Sequence, residues 1–91
     1  MEIIFSPNAL DDLRFWKKSG NIAVQKKIEK LLLAIKISPF EGLGKPEALK
    51  HNLSGAWSRR ITQEHRLIYE ISDQNEIIVL NILSLKGHYS K

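Results

Sequence analysis

The hydrophobic period of this chain changes once, and the change splits it into two parts that fold by different rules. Val24, Ile28, Leu31, Leu32 and Ile35 recur at the i, i+4, i+7, i+8 and i+11 positions of one helical face. From Ala56 onward the period is two, with His65, Leu67, Tyr69 and Ile71 alternating with Arg66, Ile68 and Glu70. Between these parts Pro39 stops the helix, and Gly42, Gly44, Pro46 and Gly55 interrupt any regular element. Helix packing and strand pairing are therefore segregated along the chain. That order predicts an α+β domain, with helices packed on one face of a sheet.

The remaining elements follow from local signals. Glu2-Ile3-Ile4-Phe5 predicts a short strand. Ser6 is suited to cap a helix, and Pro7 fits the first turn, where its missing N–H costs nothing. This helix should run from Pro7 to Lys18, with Ala9, Leu13 and Trp16 on one face and Gly20 as the stop. Strands are expected at Ala56 to Ile61, His65 to Ile71 and Glu76 to Leu85, separated by turns at Thr62-Gln63-Glu64 and Ser72-Asp73-Gln74-Asn75. The last strand is almost continuously apolar, which suits a strand covered on both faces. Phe40 to Gly55 is a long connection, with a short strand expected around Ala48 to His51. A connection of that length in so small a domain points to function. The 91 residues make a single domain, 1–91.

Composition removes several classes of function. The absence of cysteine excludes a disulfide framework and a thiolate metal site, and fits a reducing cytoplasm. His51, His65 and His88 lack the i, i+4 spacing of a helical zinc pair, so neither metal nor cofactor is expected. No Gly-rich phosphate cradle and no Gly-x-Ser-x-Gly nucleophile motif is present. The opening residues do not read as a signal peptide, and no apolar run reaches membrane-spanning length. Fourteen Lys and Arg against ten Asp and Glu give a net charge of +4, which favours polyanionic partners.

The polar residues concentrate in Lys45 to Arg60 and return in the strands that follow. The set available for chemistry is Lys45, Glu47, Lys50, Arg59, Arg60, Arg66, His88 and Tyr89. Such a set suits RNA cleavage, because RNA carries its own nucleophile, the 2′-OH beside the scissile phosphate. The reaction needs a base to take that proton, cations to stabilise charge on phosphorus, and an acid for the leaving 5′-oxygen. A carboxylate or neutral histidine serves as the base. Arginine matches two phosphate oxygens, and histidine delivers a proton near neutral pH. Plainer readings stay open on the residues alone. Glu47 also fits a surface ion pair with Lys45 or Lys50, and the arginines fit a solvent-facing sheet. The basic face of the second helix, with Lys26, Lys27, Glu29 and Lys30, reads first as solvated surface, with RNA contact as the alternative. Simple RNA binding and binding of an acidic protein are alternatives to cleavage.

The run Pro39-Phe40-Glu41-Gly42-x-Gly44-Lys45-Pro46-Glu47-x-Leu49-Lys50-His51-Asn52-Leu53-Ser54-Gly55-x-Trp57-Ser58-Arg59-Arg60-Ile61-Thr62-x-Glu64-His65-Arg66-Leu67-x-Tyr69 closely resembles the YoeB (Txe) toxins of bacterial type II toxin–antitoxin systems. These belong to the RelE-like, ribosome-dependent mRNA endonucleases (mRNA interferases). The terminal His88-Tyr89 resembles the family's closing His-Tyr, and Trp16 before a basic second helix agrees in layout. The resemblance implies the RelE-like fold, two N-terminal helices on one face of a twisted, mainly antiparallel sheet of four to five strands. It implies Glu47 as general base, Arg66 as the arginine on the scissile phosphate, His88 as general acid and Tyr89 as the aromatic that orients the substrate. It implies RNA-binding roles for Lys45, Lys50, Arg59 and Arg60, with Lys50 and Arg59 holding the backbone. His51 and His65 read as structural or supporting. The implied partners are mRNA in the ribosomal A site, a cognate YefM/Axe-like antitoxin with an acidic disordered C-terminal segment, and a second copy of the chain. The alternative is a binding module that occupies the ribosome or an antitoxin without cutting. Two departures stand out. The segment from Tyr69 to His88 is a few residues longer than in the family, and Ser90-Lys91 follow Tyr89 where the family often ends.

Overall fold

Ser6 starts the first helix as its side chain predicts. Its Oγ accepts the Ala9 N–H at 3.1 Å and donates to the Leu80 carbonyl at 2.8 Å, so one hydroxyl caps the helix and ties it to the end of the sheet. The computed structural model describes residues 1–82. Strand β1 (Ile3–Phe5) leads into α1 (Pro7–Ser19), which Gly20 closes in the left-handed region at φ 73°. Helix α2 (Ile22–Ile37) follows, capped by the Asn21 side chain on the Val24 N–H. Then come β2 (Glu47–Ala48), one 3₁₀ turn (His51–Leu53), β3 (Trp57–Arg60), β4 (Arg66–Ile71) and β5 (Ile77–Asn81).

The five strands form one sheet in the order β1-β5-β4-β3-β2. Pairing is antiparallel except between β1 and β5, which run parallel. Register fixes the faces, because cross-strand partners share one. Leu67, Tyr69, Ile77 and Val79 face the helices and are fully buried against Ala9, Trp16, Val24, Ile28, Leu31 and Ile35. The helical periodicity is therefore the core itself, with Leu32 on its margin.

Two expectations need adjusting. The short strand falls at Glu47–Ala48, and residues 51–53 form a 3₁₀ turn in place of its expected continuation. The last strand starts at Ile77 and ends at Asn81, with a register shift where it passes Ile68 and Tyr69; residues 83–85 lie outside the described range. Beyond Asn81 the chain is held by α1. The Ile82 N–H donates to Asp12 Oδ2 at 2.7 Å, and the Trp16 indole N–H donates to the Ile82 carbonyl at 2.8 Å. Asp12 and Trp16 are one helical turn apart, so a single face of α1 grips both backbone groups of one residue. His65 packs edge-on against Trp16, ring centroids 4.9 Å apart, which is the supporting role expected of it.

Candidate active site

The sheet face turned away from the helices carries the candidate residues Glu47, Arg60 and Arg66. Glu47 pairs with Ser58, and Ser58 with Ile68, so these three form one row across β2, β3 and β4. Arg60 pairs with Arg66 in the next row on the same face. Glu47 and Arg66 are thus two strand spacings apart across the sheet, about 9.6 Å, and two residues apart along it, about 6.8 Å. Two long side chains can close that gap on one phosphodiester. Glu47, Lys45 and Lys50 are exposed, and Arg66 is half-buried. The single ion pair among the described residues joins Arg14 to Asp11, so Glu47 is not consumed by Lys45 or Lys50. Ser58, in the middle of this row, is 1 % exposed, and its hydroxyl has no hydrogen-bond partner among the described residues.

Arg59 corrects the sequence reading. It was expected to hold the RNA backbone, but alternation along β3 turns it to the helix side, where it is completely buried. Its guanidinium donates to the carbonyls of Ser38, Glu41 and Leu43 and to the Tyr69 hydroxyl, at 2.5–3.1 Å. Tyr69 donates in turn to the Pro39 carbonyl at 2.6 Å. These two side chains satisfy four carbonyls of the segment after α2 that no strand or helix pairs. Burial pushes the Tyr69 hydroxyl above its ordinary value of 10.0, a rise that the Arg59 hydrogen bond and charge partly offset. Arg59 therefore anchors the long connection and does not face a substrate.

The anchored segment next runs against β3. The Arg60 N–H donates to the Gly44 carbonyl at 2.7 Å. At Gly44 the backbone has φ +88°, and an added Cβ would meet Leu31 Cδ2 at 2.7 Å, so only glycine fits. Lys45 follows in the left-handed region at φ 52°. Here a cleft of about 450 Å³ opens between α2, this segment and the end of β3. Lys27, Lys45, Arg60, Thr62 and Gln63 line it over Gly44 and Ile61. Lys45 and Arg60, both expected to bind RNA, meet in it; Lys50 is exposed and does not line it. Lys27 was read as solvated surface. The usable signal was its position, three residues after Val24 and four before Leu31, both buried, which sets it beside the core face of α2. His88 and Tyr89 lie outside the described residues.

The chain resembles known proteins along nearly its whole length. Residues 5–89 match the model of the YoeB-like toxins of bacterial type II toxin–antitoxin systems. Toxin YoeB of Escherichia coli strain K12 is 50% identical over 89 residues, which span 98% of this chain and 100% of that one. Among solved structures, a YoeB/ParE toxin from Agrobacterium tumefaciens superposes with a TM-score of 0.87 at 38% identity, covering 92% of this chain and 98% of the other. The toxin in a YoeB–YefM complex from Staphylococcus aureus superposes with a TM-score of 0.83 at 43% identity, covering 91% and 94%. The fold is that of the RelE-like toxins, two helices on a five-stranded mixed sheet. With that fold and that match, the chain belongs to the YoeB-like toxins of type II toxin–antitoxin systems.

Proposed function

We propose that this toxin is an endoribonuclease that cuts mRNA in the ribosomal A site by general acid–base chemistry. The observation that carries the reading is the placement of Glu47, in no ion pair among the described residues, on the same sheet face as Arg66 and Arg60. Glu47 removes the 2′-OH proton, and O2′ attacks the adjacent phosphorus. Arg66 holds the charge that builds on the non-bridging oxygens. The P–O5′ bond breaks and the leaving oxygen takes a proton from His88, leaving a 2′,3′-cyclic phosphate and a 5′-hydroxyl. Tyr89 orients the substrate, and Lys45, Lys50 and Arg60 hold its backbone. Neither metal nor cofactor enters this scheme. The proposed setting is the cytoplasm, where the mRNA is; no helix among the described residues is long and apolar enough to cross a membrane.

Staphylococcus aureus relatives at 42–43% identity have been solved as a YoeB dimer and in complex with YefM. For this chain we propose a cognate antitoxin whose acidic segment neutralises the net charge of +4, and self-association to a homodimer.

Primer extension on mRNA from programmed ribosomes tests the reading. Wild-type protein should create new 5′ ends. Glu47→Ala should slow cutting by about 10²–10⁴-fold and Arg66→Ala by about 10²–10³-fold, with folding retained and toxicity relieved; His88→Ala should also abolish toxicity. Full activity in all three variants would sink the residue assignment. Arrest of translation with no new 5′ ends would favour a binder that occupies the ribosome without cutting.

A further inference from the structure

We propose that the cleft between α2 and the end of β3 is a second phosphate site, which takes an RNA phosphodiester one or more nucleotides away from the one that is cut. The inference rests on the nuclease reading and extends it to a part of the surface that the scissile bond does not reach. Three basic residues from separate parts of the chain line it: Lys27 of α2, Lys45 of the anchored segment and Arg60 of β3. None of them makes an ion pair among the described residues. A half-buried lysine held without a carboxylate partner costs desolvation, and an arriving anion offsets that cost. The Thr62 hydroxyl and Gln63 amide add neutral donors, and Ile61 and Gly44 form an uncharged floor. About 450 Å³ is ample for a phosphate with part of its ribose.

Arg60 joins this cleft to the proposed reaction centre. Arg60 pairs with Arg66 across the strands, and the same residue lines the cleft where its N–H meets the Gly44 carbonyl. A strand of RNA lying along Arg66, Arg60, Lys45 and Lys27 stays over positive charge throughout. This continuity favours RNA over an acidic peptide as the occupant. The cleft is also held open by design of the backbone. Gly44 is locked to the Arg60 N–H, and Arg59 fixes the three carbonyls that precede it, so Lys45 leaves a rigid base.

The test is binding of a fully 2′-O-methylated single-stranded RNA oligonucleotide, which cannot be cut, by fluorescence anisotropy across a salt series. Lys27→Gln and Lys45→Gln should each weaken binding several-fold at low salt and flatten the plot of log affinity against log salt by about 0.7. Lys27→Arg should restore both, and unchanged thermal melts would exclude a folding defect. The idea is overturned if Lys27→Gln matches wild type in affinity and slope while wild type still cuts mRNA. It is also overturned if the variant weakens a polyglutamate peptide and leaves RNA binding intact, which would assign the cleft to an acidic protein segment. Absence of both RNA binding and cutting in the wild type would instead bring down the nuclease reading, and this site with it.

Discussion

Arg59 and Arg60 are neighbours in sequence and opposite in role, because a strand sends successive side chains to opposite faces. Arg60 shares the face of Glu47 and Arg66, whereas Arg59 holds three carbonyls and a tyrosine hydroxyl inside the protein. Replacement by Lys keeps the charge but loses the planar fork that spans these acceptors. Arg59→Lys should cost about 3 kcal/mol, or at least about 12 °C of melting temperature in a domain this size. Its RNA-binding salt slope should stay at the wild-type value, since no phosphate contact is lost. A flattened slope with a normal melt would return Arg59 to the RNA surface. Tyr69 beside it gives a pH signature. Burial raises its value above 10.0 in the fold, so the protonated form is favoured there. Its contribution to stability is complete below pH 10.0 and is lost as pH rises through the folded value. In a Tyr89→Phe background Tyr69 is the chain's only tyrosine, so phenolate absorbance should appear above pH 10.0 or together with unfolding. Adding Tyr69→Phe should remove that part of the alkaline loss of stability.

At the scale of elements, α1 acts as a clamp on the end of β5 as well as a core helix. Asp12→Ala removes the buried acceptor of the Ile82 N–H and leaves that donor unsatisfied. A loss of about 1–3 kcal/mol is expected in urea titration. An unchanged midpoint would show that the contact contributes nothing. This clamp also marks where the sequence was legible and where it was not. The two helices and β3, β4 and β5 were readable because their apolar residues repeat with one period each. Alternation set Arg66 on the face opposite Leu67 and Tyr69, as the register has it, and Glu47 stood out as the acid of a basic stretch and through the family resemblance. The segment after α2 had no such signal, since its carbonyls are satisfied by Arg59 and Tyr69 from far along the chain. Long-range satisfaction leaves no local pattern, which is why neither the start of β2 at Glu47 nor the burial of Arg59 is legible in the sequence. Lys27 was passed over for a related reason. Charge type suggested solvent, while its position beside Val24 and Leu31 placed it at the edge of the core.

At the scale of the whole molecule, the sheet is a partition. One face is filled by helices and tolerates little change; the other carries Glu47, Arg60 and Arg66 and is left to function. The order of strands within that partition also bears on how the protein comes into being. The first strand made, β1, lies beside the last, β5, and β5 separates it from β4. A chain emerging from the ribosome therefore holds β1 and the Asp12–Trp16 grip with nothing to receive them until residues 77–82 have been synthesised. Local helices can form earlier, but the contacts that close the sheet are among the most distant in the sequence and are made last. An interrupted translation product lacks β5 and leaves β4 with an open edge, a form suited to proteolysis. For a protein whose active form is harmful to its host, the topology withholds a finished molecule until translation is nearly complete.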